Sequence, residues 1–129
     1  MNKKLLIAGT ILGILGIILG AFAAHGLEKV VNENSIKSFE TGVRYQMYHA
    51  FLLLIVANFS FMTNKVKSRL LVLVLVGVLF FSFSIYGLAT NALTSFDFKN
   101  IAFITPIGGL ILILAWALML MSFLKTKFD

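Results

Sequence analysis

The side chains able to do chemistry are few, and most fall in one stretch: His25, then Glu40, Arg44, Tyr45, Gln46 and His49, with Asn58 further along. Glu40 and Arg44 stand four apart with the acid first, the favoured order for an ion pair on a helix. Tyr45 and His49 are also four apart, one residue round from that row. His49 falls about a turn inside an apolar run, where ionisable groups face protein or a water-filled cavity rather than lipid. His25 ends the preceding run and could approach from a neighbouring helix. Two readings follow. One is a small polar site at the mouth of a bundle, handling an anion or a proton. The other is helix-to-helix hydrogen bonding, with Tyr45 and Tyr48 as interfacial anchors. Two histidines without a third ligand or paired carboxylates make at most half a metal site. There is no cysteine, which excludes disulfides and thiolate metal centres. With no phosphate loop, nucleophile motif or cofactor fingerprint in the chain, neither a cofactor nor enzymatic activity is expected.

The elements that must position these residues are read from the composition. Of 129 residues, 60% are hydrophobic and 12% charged, and the mean hydropathy is +0.99. A soluble domain keeps far more charge to cover its core. Four apolar runs, at about 5–24, 45–62, 70–88 and 104–124, each approach the ~20 residues that a helix needs to cross ~30 Å of hydrocarbon. Lipid demands a backbone that satisfies its own hydrogen bonds, so helices are expected. The runs are continuous rather than alternating, which excludes a β-barrel. The fold class is therefore all-α: an integral membrane four-helix bundle. A helical extension over about 35–44, capped by Asn34 or Ser35, leads into the second run with Ile36, Phe39 and Val43 on its apolar edge.

The first run imitates a signal peptide, with Lys3-Lys4 ahead of it and Ala21-Phe22-Ala23 near its end. It is longer than the usual ~7–15 apolar residues of such a signal. It also carries Gly9, Gly13, Gly16 and Gly20 at spacings that place them on one helix face, where a neighbour can pack closely. It is therefore expected to remain as a span. In the fourth run Thr105-Pro106 suits an N-cap and first helical position, a helix kinked at Pro106 being the alternative. Asn58 reads as an interhelical partner or a pore-lining amide. Ser82, Ser84 and Tyr86 are expected on the protein-facing side of the third run, alternating with Phe80, Phe81 and Phe83. Trp116 is expected to pack, and 91–100 to form a short loop.

Charge sets the orientation. With four spans, the termini and 63–69 share one side, which holds Lys3, Lys4, Lys65, Lys67, Arg69, Lys125 and Lys127 against Asp129. The other side holds Lys29, Lys37, Arg44 and Lys99 against Glu28, Glu33, Glu40 and Asp97. The net charges are +6 and zero, so both termini are expected in the cytoplasm. The basic residues lie beside apolar runs, where they meet anionic head groups, and no basic face suits nucleic acid.

Gly20-Ala21-Phe22-Ala23-Ala24-His25-Gly26-Leu27, followed by Phe39-Glu40-Thr41-Gly42-Val43-Arg44-Tyr45-Gln46-Met47-Tyr48-His49-Ala50, resembles the small membrane proteins grouped as domain of unknown function 423, also catalogued as uncharacterised protein family 0382. The resemblance implies four spans and a bacterial cell membrane, and it supplies no activity. Two function classes follow. One is a structural or interaction bundle in the bilayer, whose partner would be a second copy or another membrane protein. The other is a small anion or proton channel or transporter using His25, Arg44 and His49. No Asp or Glu lies within a span, which counts against acid-coupled transport.

Overall fold

The structure, a computed structural model, describes residues 1–128. Four long helices carry it: α1 (Asn2–His25), α2 (Glu33–Val56), α3 (Asn64–Ala89) and α4 (Ile104–Lys125). The segments containing α1, α3 and α4 are long and apolar enough to cross a membrane. The helix α2 is more polar, but it lies antiparallel along α1. Gly9 sits against Ala50 and Leu54, Gly16 against Gln46 and Met47, and Gly20 against Val43. The two therefore cover the same thickness. At 24 residues α2 is ~36 Å long, enough for ~30 Å of hydrocarbon.

Local chemistry moves several expected boundaries. Asn32, not Asn34 or Ser35, caps α2, its Oδ1 accepting from the Ser35 N–H at 2.8 Å. One unbroken helix then absorbs the expected extension and ends at Val56 rather than near Met62. Asn58 explains the early stop: its side-chain amide donates to Leu54 O at 2.8 Å and takes up a carbonyl that a further turn would use. Thr63 then caps α3 through the Val66 N–H. In α4 the cap position is Phe103, not Thr105. Pro106 falls in the first turn, where a missing N–H has no intrahelical acceptor to lose. Thr105 is thereby free to bond across to Ser84, their hydroxyls 2.6 Å apart.

The helix α3 contains a π turn at Leu79–Phe83. Its buried row is Leu70, Val74, Val78, Ser82 and Tyr86, each four residues from the last. In a regular α-helix every such step overshoots a full turn by about 40°, so the row would drift off the face. A turn with i→i+5 bonding holds more residues and cancels part of that drift. Ser84 Oγ donates to the carbonyls of Phe80 and Phe81 at this turn. The close fit of α4 is there too, since a Cβ on Gly108 would lie 2.6 Å from the Phe80 carbonyl carbon.

Two apolar clusters fill the interior. The larger joins all four helices through Leu5, Leu53, Val56, Leu70, Val74 and Ala115, among others. The smaller, toward the α1–α2 connection, is Ala23, Leu27, Phe39, Tyr86 and Ala89. At the opposite end Lys67 is buried: its ammonium donates to Asn2 Oδ1 at 2.8 Å and to Ala57 O, at the end of α2, at 3.4 Å. A cation at a helix C-terminus is favourably placed. Gly9 and Gly16 are buried against α2, whereas Gly13 meets open space. The contact line on α1 runs through Leu5, Gly9, Leu12, Gly16 and Ala23, and Gly13 sits one residue beside it.

Gly108→Ala is expected to lower stability by about 1–3 kcal/mol, because its methyl group meets backbone that cannot step aside. Gly13→Ala should leave stability unchanged or slightly raised. Thermal unfolding of both variants in the same detergent checks the contrast.

Candidate functional site

The polar chemistry of the bundle centres on α2, one face of which turns inward through Phe39, Gly42, Gln46, His49, Leu53 and Val56. Gln46 is fully buried. Its Nε2 donates to Leu12 O of α1 at 2.8 Å, and its Oε1 accepts from the Tyr86 hydroxyl of α3 at 2.6 Å. A helical side chain covers the turn N-terminal to its own Cα, so a larger residue at position 16 would lie over the Leu12 carbonyl. Gly16 leaves it open; a Cβ there would lie 3.5 Å from the Gln46 amide nitrogen and overlap the Met47 sulfur. One turn earlier on α2 the device recurs. Ser82 Oγ donates to Gly42 O at 2.8 Å, and a Cβ on Gly42 would come within 2.7 Å of the Tyr86 ring.

His49 is buried one turn beyond Gln46. The indole N–H of Trp116, which can only donate, points at His49 Nε2 at 3.1 Å. Nε2 is therefore the acceptor and the proton sits on Nδ1, which donates to Tyr45 O at 2.6 Å. Both ring nitrogens are occupied in a neutral imidazole that ties α2 to α4. A groove of about 310 Å³ runs past this pair, walled by Tyr45, Phe81, Leu112 and Ile113. Trp116 is half-exposed at its edge, so the residue expected to pack also supplies a hydrogen bond.

The expected cluster does not assemble as a single site. His25 is exposed at the end of α1. Ala23 takes the inward position there, and two residues on the chain has turned by about 200°. Leu27 plugs the core instead, so the Ala24-His25-Gly26-Leu27 element buries its leucine rather than its histidine. Glu40 and Arg44 are exposed and unpaired with each other. Arg44 Nη2 donates to Thr41 Oγ1 at 3.0 Å, and the ion pair found on α2 among the described residues joins Lys37 to Glu33 at 3.5 Å. Exposed pairs are worth too little to hold Arg44 against Glu40. Tyr45 lies outside, its ring against Tyr48 and Phe81. Asn58 is exposed just beyond α2 and bonds back to its last turn rather than across to another helix.

Among residues that the pattern did not single out, Gly42 and Lys67 matter most. Gly42 carried a signal, a glycine inside a helix that costs about 1 kcal/mol unless a close approach requires it. Lys67 carried none, because its charge reads as part of a basic connection.

The family described as "Protein of unknown function (DUF423)" matches residues 19–109, a range that holds Gln46, His49, Ser82 and Tyr86. The chain belongs to this family. Members of the family from bacteria are similar over nearly their whole length. The "UPF0382 membrane protein" of Haemophilus influenzae is 35% identical over 128 residues, covering 98% of both chains. The "UPF0382 membrane protein YwdK" of Bacillus subtilis is 34% identical, over 95% of this chain and 98% of its own. The "UPF0382 inner membrane protein YgdD" of Escherichia coli K12 is 32% identical, over 98% and 93%. No solved structure matches. With its apolar helices, this DUF423 chain is a multi-pass bacterial cell-membrane protein.

In this DUF423 protein Tyr86→Phe should cost roughly 0.5–2 kcal/mol, the range of interhelical hydrogen bonds in membranes. Adding Gln46→Leu should recover part of the loss by removing the orphaned amide oxygen. A double-mutant cycle on unfolding in detergent reads both. Trp116 is the only tryptophan, so its emission reports the His49 bond directly. His49→Phe should shift that emission to shorter wavelength, and His25→Phe should leave it unchanged.

Proposed function

We propose that the chain works as a structural or interaction bundle of the cell membrane, without enzymatic activity, holding its own helices in a fixed arrangement against which a second copy or another membrane protein is organised. The observation that carries this reading is Gln46, a fully buried amide whose two ends are held by α1 and α3. His49 supports it in the same way, with both nitrogens engaged inside the bundle. A conducting path needs polar groups that exchange partners with a passing ion or proton. These side chains are engaged with neighbouring helices, which is what locks a bundle.

The reading is tested by reconstitution. Purified protein in liposomes should carry no proton or anion flux above empty vesicles, and His49→Ala should not change that. Flux that His49→Ala abolishes would replace the bundle with the channel. Co-purification from native membranes should recover a defined partner or a stable self-assembly.

The proposed orientation has both termini in the cytoplasm, supported by the basic residues gathered on that side. The absence of native cysteine makes single-cysteine variants clean probes. Lys65 is exposed on the inner side and suits such a probe, whereas Lys67 two residues on is buried. In intact cells a membrane-impermeant maleimide should label Glu28→Cys and spare Lys65→Cys; the reverse pattern would invert the topology.

A further inference from the structure

At the face of the bundle opposite the termini, two adjoining crevices lie between α2 and α3. One, of about 370 Å³, is lined by Asn34, Ser38, Thr41 and Ile85. The other, of about 580 Å³, is lined by Val30, Asn91, Ala92 and Lys99. Asn32, Ser35, Leu88 and Ala89 belong to both, so the two form one trough. Its walls differ in chemistry. The α2 wall is hydroxyl and amide, while the α3 wall is apolar and continues down a helix suited to hydrocarbon.

A cation stands at each end. Lys99 lines the upper crevice. Arg44 reaches the lower one through its 3.0 Å bond to Thr41, a lining residue. Of the acids nearby, Glu33 is paired with Lys37 and Asp97 Oδ1 accepts from the Asn91 side chain and the Lys99 backbone N–H, while Glu40, one turn before Arg44, is exposed and unpaired with it. Two cations, a run of hydroxyls between them and an apolar wall leading into the bilayer match a phosphodiester bearing a polyol on one side and acyl chains on the other. Guanidinium and ammonium groups both bind phosphate oxygens through charge-assisted bonds.

We propose that this trough is a binding site for an anionic glycerophospholipid of the adjacent leaflet, its charged head group spanning the trough from Arg44 to Lys99, its hydroxyls on Ser35, Ser38 and Thr41, and an acyl chain along Ile85 and Leu88. The proposal is independent of the bundle reading above.

Native mass spectrometry of the purified protein with added lipid tests it. Phosphatidylglycerol should be retained about thirtyfold better than phosphatidylcholine, as expected for two basic residues at ~1 kcal/mol each. Arg44→Gln with Lys99→Gln should abolish the preference, and Lys65→Gln with Lys125→Gln, on the opposite face, should preserve it. Ser38→Phe keeps both cations and fills the trough from an exposed position, so it should also abolish retention while Trp116 emission shows the bundle intact. Equal retention of the two lipids would overturn the site, as would loss of preference only in the opposite-face variant or full retention by Ser38→Phe. Soluble glycerol phosphate or inorganic phosphate should fail to compete at millimolar concentration; competition equal to the lipid's would show a free-anion site in its place.

Discussion

A buried amide in a lipid-bounded protein has to find every partner among its neighbours, and Gln46 finds both of its own on different helices. Those two hydrogen bonds tie α1 and α3 to α2 at once, and each requires Leu12 O or the Tyr86 hydroxyl to be turned toward the amide. Apolar packing alone is permissive in a membrane, where lipid tails solvate a leucine as well as another helix does. The directional constraint is what singles out one arrangement. His49 adds the fourth helix through Trp116, and Ser82 repeats the α2–α3 link one turn away. Lys67 closes the far end, where the start of α1, the end of α2 and the first turn of α3 converge.

The glycines serve these bonds. In a helix interior each carbonyl already accepts once, and its second lone pair is screened by the side chain one turn later. Removing that side chain at Gly16 turns the backbone of α1 into an acceptor for its neighbour. Gly42 lets the Tyr86 ring and the Ser82 hydroxyl come onto α2 together. Close approach and hydrogen bonding are thus one design, and the same positions could not be filled with alanine to gain helix propensity.

Much of the fold was legible in the sequence. The four apolar runs locate the helices, since length and continuity are strong signals when the solvent is lipid. The inward placement of Ser82 and Tyr86 followed from the alternation with Phe80, Phe81 and Phe83. The candidate cluster was harder to read. Six residues near one another in sequence can share a region and still point in different directions, and helical spacing to better than one residue decides which. His25 and Ala23 show this, as do Gly13 and Gly9. The Glu40–Arg44 spacing signalled a pair, but an exposed arginine chose a hydroxyl three residues back. Trp116 lies 67 residues from His49, so nothing local could join them. Asn34 and Ser35, two and three residues on, offer the same capping chemistry as Asn32, so residue type alone does not single out the cap.

The π turn of α3 has a consequence for how length is distributed in this chain. It makes α3 two half-helices on one axis, each with its own angular phase, joined by a segment holding one residue more than a regular helix would. Deleting a residue from 79–83 would leave a continuous, more regular helix of nearly the same hydropathy. Its far half would keep its faces, because the π turn is where the extra residue is absorbed and i→i+5 simply becomes i→i+4. The same deletion in the regular turns between Val66 and Val78 would instead rotate the helix on its two sides by about 100° relative to each other, and the buried row would be broken. Across relatives that differ in length, this turn is therefore the place in α3 where a one-residue gap leaves the reading frame of faces intact.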